Sequence, residues 1–326
     1  MNLNFIKNNL GKILILLLII GLNVFFIINL SSQHHSARII TSNFIGYDFV
    51  RAITNDKSNL AMLLKPGAEA HNFEPTPTDI INIKNADLFI YVGGESESWI
   101  DNLLESNEIS GNNTLRLMDL VEIKEELPEG AEASKTTNQQ EQSNADSSDE
   151  PEYDEHIWTS PVNAVKLING IKNKLSLIYP KRQDEYTRNA TSYITQISAI
   201  DQDIRNLVAN SPKKELVFGD RFPFRYFVDE YGLNHYASFP GCSEQTEASS
   251  QTIAFLINKI KTDGISTVLK IELTSDKLAQ TIASETGAKV MILNAAHNIS
   301  QTDFDSGVTY VDIMKQNIEV LKEALK

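Results

Sequence analysis

The chain has 326 residues, 41% of them hydrophobic, and a formal net charge of −14 from 43 acidic and 29 basic side chains. This length suggests about two domains, and the composition excludes a wholly disordered or fibrous protein. The acidic balance argues against a protein that binds the phosphate backbone, so nucleic acid is not an expected partner.

The first thirty residues predict a membrane-directed segment. Residues 1–12 contain two lysines and no acidic residue, and an uncharged run of 18 residues follows at 13–30. As a helix this run is about 27 Å long, close to the roughly 30 Å hydrocarbon core of a bilayer. We expect residues 1–36 to be an uncleaved anchor or, alternatively, a cleaved signal peptide. In both cases the rest of the chain lies outside the cytoplasm.

Residues 37–178 alternate between β-rich runs and helix signals. Strands are predicted at 37–42, 87–92 and 114–118, because these short apolar runs are bounded by turn residues. Helices are predicted from Asn43, from Thr76 with Pro77 and Asp79 in the first turn, and around Trp99. This alternation is typical of a parallel sheet in an α/β lobe.

An acidic segment interrupts the N-terminal lobe at residues 125–155. Between Val121 and Glu155 there are twelve acidic residues and two lysines, which account for most of the net charge. The segment has few large apolar residues, so we expect a solvated loop. The alternative is a loop that raises the local cation concentration by long-range attraction.

The α/β pattern resumes after a long helical stretch. Residues 179–211 predict a linking helix from about Arg182 to Asn210, which would be roughly 45 Å long and suited to bracing two lobes. Residues 212–326 predict a C-terminal α/β lobe. Its predicted strands are 215–218, 268–271 and 289–293, with a further candidate strand at 236–239, and its predicted helices are 252–261, 276–286 and 308–324. Two α/β lobes with parallel sheets, joined by a long helix, would leave a ligand cleft between them.

Three histidines follow predicted strands or lie in loops beyond them, where the cleft would be: His71, His156 and His297. The single cysteine, Cys242, excludes a thiolate zinc cluster, so a metal site must use histidine and carboxylate. No sequence spacing links the three histidines. The residues alone therefore leave two alternatives open, a metal site or three structural histidines.

A series of short motifs resembles the substrate-binding proteins of zinc and manganese ABC importers. Two of them surround histidines: Pro66-Gly67 with His71 and Glu74-Pro75-Thr76-Pro77, and Asp154-x-His156-x-Trp158-x-Ser160-Pro161. Others are Ala86-Asp87-Leu88, Gly94 with Trp99, Thr246-Glu247-Ala248-Ser249, Glu272, and Tyr310 with Met314 and Asn317. The motifs occur in family order from about residue 37 to the C-terminus.

The resemblance implies a metal ion between the lobes, with His71 and His156 as ligands from the N-terminal lobe. His297 occupies the approximate place of the fourth family ligand, with Asp303 and Asp305 as alternatives. At the third position Asp220 is the nearest ligand-capable residue, and its alternative roles are a salt bridge with Arg221 or a helix cap. We expect Glu272 and Glu247 to support the site or the lobe packing, and Cys242 to be inert.

Three imidazoles and one carboxylate suit Zn²⁺, with Mn²⁺ as a further possibility. The resemblance then implies a monomeric binding protein, not an enzyme, that captures the ion and delivers it to an ABC permease. An extracellular zinc hydrolase is one alternative, but the chain has no His-Glu-x-x-His sequence. A surface adhesin stabilised by a metal is the other.

Overall fold

The computed structural model describes residues 38–69, 73–106, 109–126, 153–241 and 248–326. Its frame consists of two four-stranded sheets in which every strand pair is parallel. Residues 1–37, which include the predicted anchor, and residues 127–152 of the acidic loop lie outside these ranges. No helix in the described ranges is long and apolar enough to cross a membrane.

The N-terminal sheet has the strand order β2-β1-β3-β4. Its strands are Ile39–Thr41 (β1), Leu60–Met62 (β2), Leu88–Tyr91 (β3) and Thr114–Arg116 (β4). The helices of this lobe are Phe44–Thr54 (α1), Pro77–Asn85 (α2) and Ser98–Glu105 (α3). All four residues of β3 are buried, as expected for a parallel strand that is covered on both faces.

Local capping explains where several helices begin. The Thr76 hydroxyl accepts a hydrogen bond from the Asp79 amide while Asp79 accepts one from the Thr76 amide, which is a complete capping box. The predicted helix start at this position is therefore confirmed. In the same way Ser160 caps the helix that begins at Pro161.

A helical hairpin connects the lobes. Helix α4 spans Pro161–Ile178, and α5 spans Gln183–Asn210, whose 28 residues correspond to about 42 Å. The buried residues of α5 recur every three or four positions and form one stripe: Tyr186, Ala190, Tyr193, Ile197, Ile200, Ile204 and Val208. They belong to a hydrophobic core that includes residues of both lobes, so the long helix braces the two sheets as the sequence predicts.

The C-terminal sheet has the strand order β6-β5-β7-β8. Its strands are Glu215–Phe222 (β5), Asn234–Pro240 (β6), Thr267–Lys270 (β7) and Lys289–Ile292 (β8). The helices are Arg225–Tyr231 (α6), Ser250–Asp263 (α7), Lys277–Thr286 (α8), Gln301–Ser306 (α9) and Tyr310–Ala324 (α10). The sequence did not predict α6 and α9, which have only seven and six residues.

Strand β5 is longer than the sequence predicts. It continues past Phe218 to Phe222, with a shift in its register to β6 between Phe218 and Arg221. Gly219 permits this path, because a Cβ atom there would lie 2.7 Å from the Cα atom of Ala279 in α8. Asp220 consequently lies within β5, whereas the sequence predicts that this strand ends at Phe218. The proposed lobe boundaries 37–178, 179–211 and 212–326 remain predictions.

Candidate metal centre

Loops at the carboxyl ends of strands from both sheets line a cleft between the lobes. The cavity there measures about 30 Å³, which is room for an ion or for one to two water molecules. Its lining comes from both lobes: Ala68, Glu69, His156, Arg221, Pro223, Gly241, Ile271, Glu272, Leu273, Thr274, His297 and Asn298.

His156 is fully buried and held by its neighbour Asp154. The Nδ1 atom lies 3.1 Å from Asp154 Oδ1, and the same oxygen accepts the His156 backbone amide at 2.8 Å. With the proton on Nδ1, the lone pair is on Nε2, the atom that can bind a metal. Burial alone lowers the pKa of His156, but the negative charges of Asp154, Glu155 and Glu126 outweigh it and raise the pKa overall.

His297 approaches His156 from the C-terminal lobe. It lies in the loop after β8, and the two imidazole rings have centroids 5.0 Å apart and planes at 87°. Trp158 packs against both rings, at 5.6 and 5.5 Å, and its Nε1–H donates to the Ala295 carbonyl oxygen at 2.7 Å. The indole therefore ties the His297 loop to the N-terminal lobe.

Glu155 completes the cluster, although the sequence predicts it only as part of the solvated acidic loop at residues 125–155. Ligand atoms of Glu155, His156 and His297 all lie within 4.8 Å of one another. The Ser96 hydroxyl lies 2.7 Å from each Glu155 carboxylate oxygen. Burial raises the pKa of this carboxyl group, while His156 and Ser96 oppose the shift. The only signal in the sequence was its position directly before His156.

Gly94 makes the space that Glu155 occupies. Its φ angle of +114° is one that residues with a side chain rarely adopt. A Cβ atom at this position would lie 2.6 Å from Glu155 Oε2. Both observations give a physical reason for glycine in the motif that pairs Gly94 with Trp99.

Asp220 is not part of this cluster. Its Oδ2 atom accepts hydrogen bonds from the Ile271 amide at 3.1 Å and the Thr274 hydroxyl at 2.5 Å, and Oδ1 accepts the Arg221 amide at 2.8 Å. These bonds join β5 to the loop after β7. The Arg221 side chain pairs instead with Glu69 across the cleft, at 3.3 Å.

The remaining sequence candidates lie elsewhere. Asp303 and Asp305 are exposed on α9, where Asp303 bonds to Ser300 and Asp305 accepts from Gln301. His71, Cys242 and Glu247 lie outside the described residues, so their predicted roles stay predictions. The structure thus brings His156 and His297 together and adds Glu155.

The chain is similar to known proteins that are named for zinc uptake and zinc binding. The family model described as "Zinc-uptake complex component A periplasmic" matches residues 39–324. The chain is 32% identical over 298 residues to the high-affinity zinc uptake system protein ZnuA of Bacillus subtilis, covering 90% of this chain and 89% of that protein. It is 28% identical over 310 residues to the zinc-binding lipoprotein AdcA of Streptococcus pneumoniae serotype 4, of whose longer chain it spans 60%.

Solved structures show the same architecture. The Zn(II)-bound ZnuA-like domain of Streptococcus pneumoniae AdcA has a TM-score of 0.70 and 26% identity, covering 88% of this chain and 98% of that one. The metal-dependent lipoprotein YcdH of Bacillus subtilis has a TM-score of 0.71 and 29% identity, covering 88% and 99%. The predicted fold class, two parallel-sheet lobes with a long helix, is confirmed.

Proposed function

We propose, on the premise that this chain belongs to the family of zinc-uptake complex component A proteins, that it captures Zn²⁺ outside the cytoplasm and delivers it to an ABC permease. The observation that carries the proposal is that ligand atoms of Glu155, His156 and His297 lie within 4.8 Å of one another. His156 and His297 also line the cleft cavity of about 30 Å³. Relatives named for zinc uptake and zinc binding support the choice of ion. Mn²⁺ is the second candidate.

The proposed ligands are the imidazoles of His156 and His297 and the carboxylate of Glu155, with the predicted His71 as the fourth. Nitrogen-rich donor sets with one carboxylate suit Zn²⁺, whereas Mn²⁺ prefers more oxygen ligands. We place Glu155 in the position that the sequence assigned to Asp220, because the oxygens of Asp220 already accept three hydrogen bonds.

A binding protein fits this cleft better than a hydrolase does. A hydrolase must hold an organic substrate beside its metal, whereas this cavity measures about 30 Å³ and the relatives are named for zinc uptake and zinc binding. We further propose that the protein acts as a monomer and that residues 13–30 attach it to the membrane unless they are removed.

Zinc affinity, measured on the metal-free protein by competition with a chromophoric chelator, tests the proposal. We expect one tight site per chain, and losses above about 100-fold in His156→Ala, His297→Ala and His71→Ala, because even supporting residues of metal sites are worth 10–100-fold. His235→Gln is the matched control, since this histidine lies in β6 outside the cluster. A His156→Ala variant that still holds one tight equivalent would refute the site.

A further inference from the structure

The loop that carries His297 is held almost entirely by side chains. After β8, the backbone amides of residues 294–297 each donate a hydrogen bond to a side-chain oxygen. None of these four amides bonds to the backbone of a neighbouring strand. The donors and acceptors are Asn294 to Asn317 (2.8 Å), Ala295 to Glu272 (2.7 Å), Ala296 to Asn294 (2.8 Å) and His297 to Glu272 (2.9 Å). The conformation of this loop therefore depends on a few named side chains.

Glu272 accepts two of these four hydrogen bonds, one at each carboxylate oxygen. The two amides that donate to it lie on either side of Ala296, whose φ angle of +56° is in the left-handed region. A residue with a Cβ atom is disfavoured there, so the turn needs external contacts to persist. Each carboxylate oxygen of Glu272 accepts one of these two amides, which makes its side chain a two-point clamp on the turn.

The backbone around Glu272 is anchored in the C-terminal sheet. It follows β7, two residues after the strand ends at Lys270, and it lines the same cleft as His156 and His297. The neighbouring Ile271 amide is bonded to Asp220 in β5. The clamp thus connects the central strands of the C-terminal sheet to the loop of the metal cluster.

We infer that Glu272 is a positioning residue for zinc binding, whose carboxylate fixes the backbone on both sides of Ala296 and so holds the His297 imidazole opposite His156. The inference rests on the proposed zinc-binding function and deepens it. Glu272 does not contact the metal in this scheme. It acts through His297, by keeping that ligand in place before the ion arrives.

Two substitutions separate geometry from charge. In Glu272→Gln the amide oxygen can accept one N–H, but the NH₂ group is a donor and would face the second N–H. In Glu272→Asp both acceptor oxygens and the charge remain, but the side chain is shorter by one methylene group. Glu285→Gln is the control, because Glu285 is exposed on α8 and its loss removes one negative charge from the same lobe.

The experiment measures zinc affinity of the full-length protein by chelator competition, the absorption spectrum of the Co²⁺-loaded protein, and the unfolding midpoint of the metal-free protein. We expect Glu272→Gln to weaken zinc binding about 10–100-fold and to alter the Co²⁺ ligand-field bands. We expect Glu272→Asp to have an intermediate affinity, and Glu285→Gln to match the wild type in affinity and spectrum.

Equal zinc affinities in Glu272→Gln and Glu285→Gln would overturn the inference. So would a weaker affinity that accompanies a wild-type Co²⁺ spectrum and a destabilised metal-free protein, since that pattern marks a purely structural role. If Glu272→Gln does not fold, a Glu272→Asp variant with the zinc affinity of the wild type would also overturn the inference. A wild-type protein without zinc affinity would instead reject the proposed function, and the inference with it.

Discussion

The side-chain amide of Asn298 donates a hydrogen bond of 2.7 Å to the carbonyl oxygen of Ala68, which belongs to the opposite lobe. The same amide donates to the Lys65 carbonyl oxygen at 2.9 Å, and the Gly67 amide donates to Ile299 at 2.8 Å. The loop that carries His297 is thereby joined to the loop that precedes the predicted ligand His71. The metal-binding loops of the two lobes are expected to move together.

Asn298→Asp tests this connection, because a carboxylate cannot donate and would face two carbonyl oxygens. Two lost hydrogen bonds at about 1 kcal/mol each predict a zinc release rate at least tenfold faster. Stopped-flow mixing of the zinc-loaded protein with excess chelator measures the rate, and hydrogen exchange should show less protection at residues 63–69. Asn206→Asp, on the exposed face of α5, is the control. Identical release from both variants would contradict the connection.

A second prediction separates Asp220 from Glu155. Asp220→Asn replaces a carboxylate that accepts three hydrogen bonds with a group that must partly donate, so the free energy of unfolding should fall by about 1–3 kcal/mol. Zinc affinity should stay within about threefold of the wild type, provided that Asp220 is no ligand. Glu155→Gln should show the reverse, with weaker zinc binding.

Urea unfolding of the metal-free proteins and chelator competition measure the two effects separately. The first prediction from the sequence, with Asp220 as a ligand, would be restored if Asp220→Asn lost tight zinc binding while Glu155→Gln kept it.

The sequence indicated His156 and His297 because each follows a predicted strand or lies in a loop beyond one, near the sheet edge where parallel-sheet proteins bind ligands. Asp220 illustrates a different situation. The sequence predicts a strand that ends at Phe218, but β5 continues to Phe222, and Gly219 packs closely against Ala279 from a distant part of the chain. A contact between residues so far apart in the chain cannot be predicted from the local sequence.

Glu155 was missed for a related reason. It ends a segment so rich in acidic residues that solvent exposure is the natural expectation, yet it is only 2% exposed. Its burial depends on Ser96, which donates to its carboxylate, and on the absence of a side chain at Gly94. Neither neighbour is close to Glu155 in the sequence, so composition alone predicts the opposite environment.

His235 predicts a pH effect on stability that is separate from metal binding. Its ring stacks on Phe222 with centroids 3.7 Å apart, and burial, helped by the charge of Arg225, lowers its pKa to about 4. In the unfolded chain the pKa is about 6.5. Between these values the unfolded state binds a proton that the folded state does not, so stability falls as the pH drops below 6.5. The full effect, reached below pH 4, is about 3 kcal/mol.

Urea unfolding of the metal-free protein between pH 7 and pH 4 measures this effect. The His235→Gln variant lacks the titrating ring, so its stability should fall less steeply over this range than that of the wild type. Parallel curves for the two proteins would show that His235 does not contribute.

The last prediction concerns Asp48, which joins three elements at the base of the lobes. This fully buried carboxylate accepts the Tyr310 amide at 3.0 Å and the Tyr193 hydroxyl at 2.5 Å, and it pairs with Arg51 at 2.7 Å. Tyr310 begins α10 of the C-terminal lobe, Tyr193 lies in α5, and Asp48 and Arg51 lie in α1. The Asp48 carboxylate therefore connects helices of both lobes to the long helix α5.

Asp48→Asn keeps the size of the side chain but leaves the buried Arg51 guanidinium without its counter-charge. Breaking a buried ion pair in this way costs about 3–5 kcal/mol, so we expect a loss of that order in the free energy of unfolding. Asp203→Asn, on the exposed face of α5, is the matched control and should change stability by less than about 0.5 kcal/mol. Because Asp48 bonds to elements of both lobes, hydrogen exchange should increase at the start of α10 as well as in α1. An increase confined to α1 would mean that the carboxylate stabilises its own helix and does not connect the lobes.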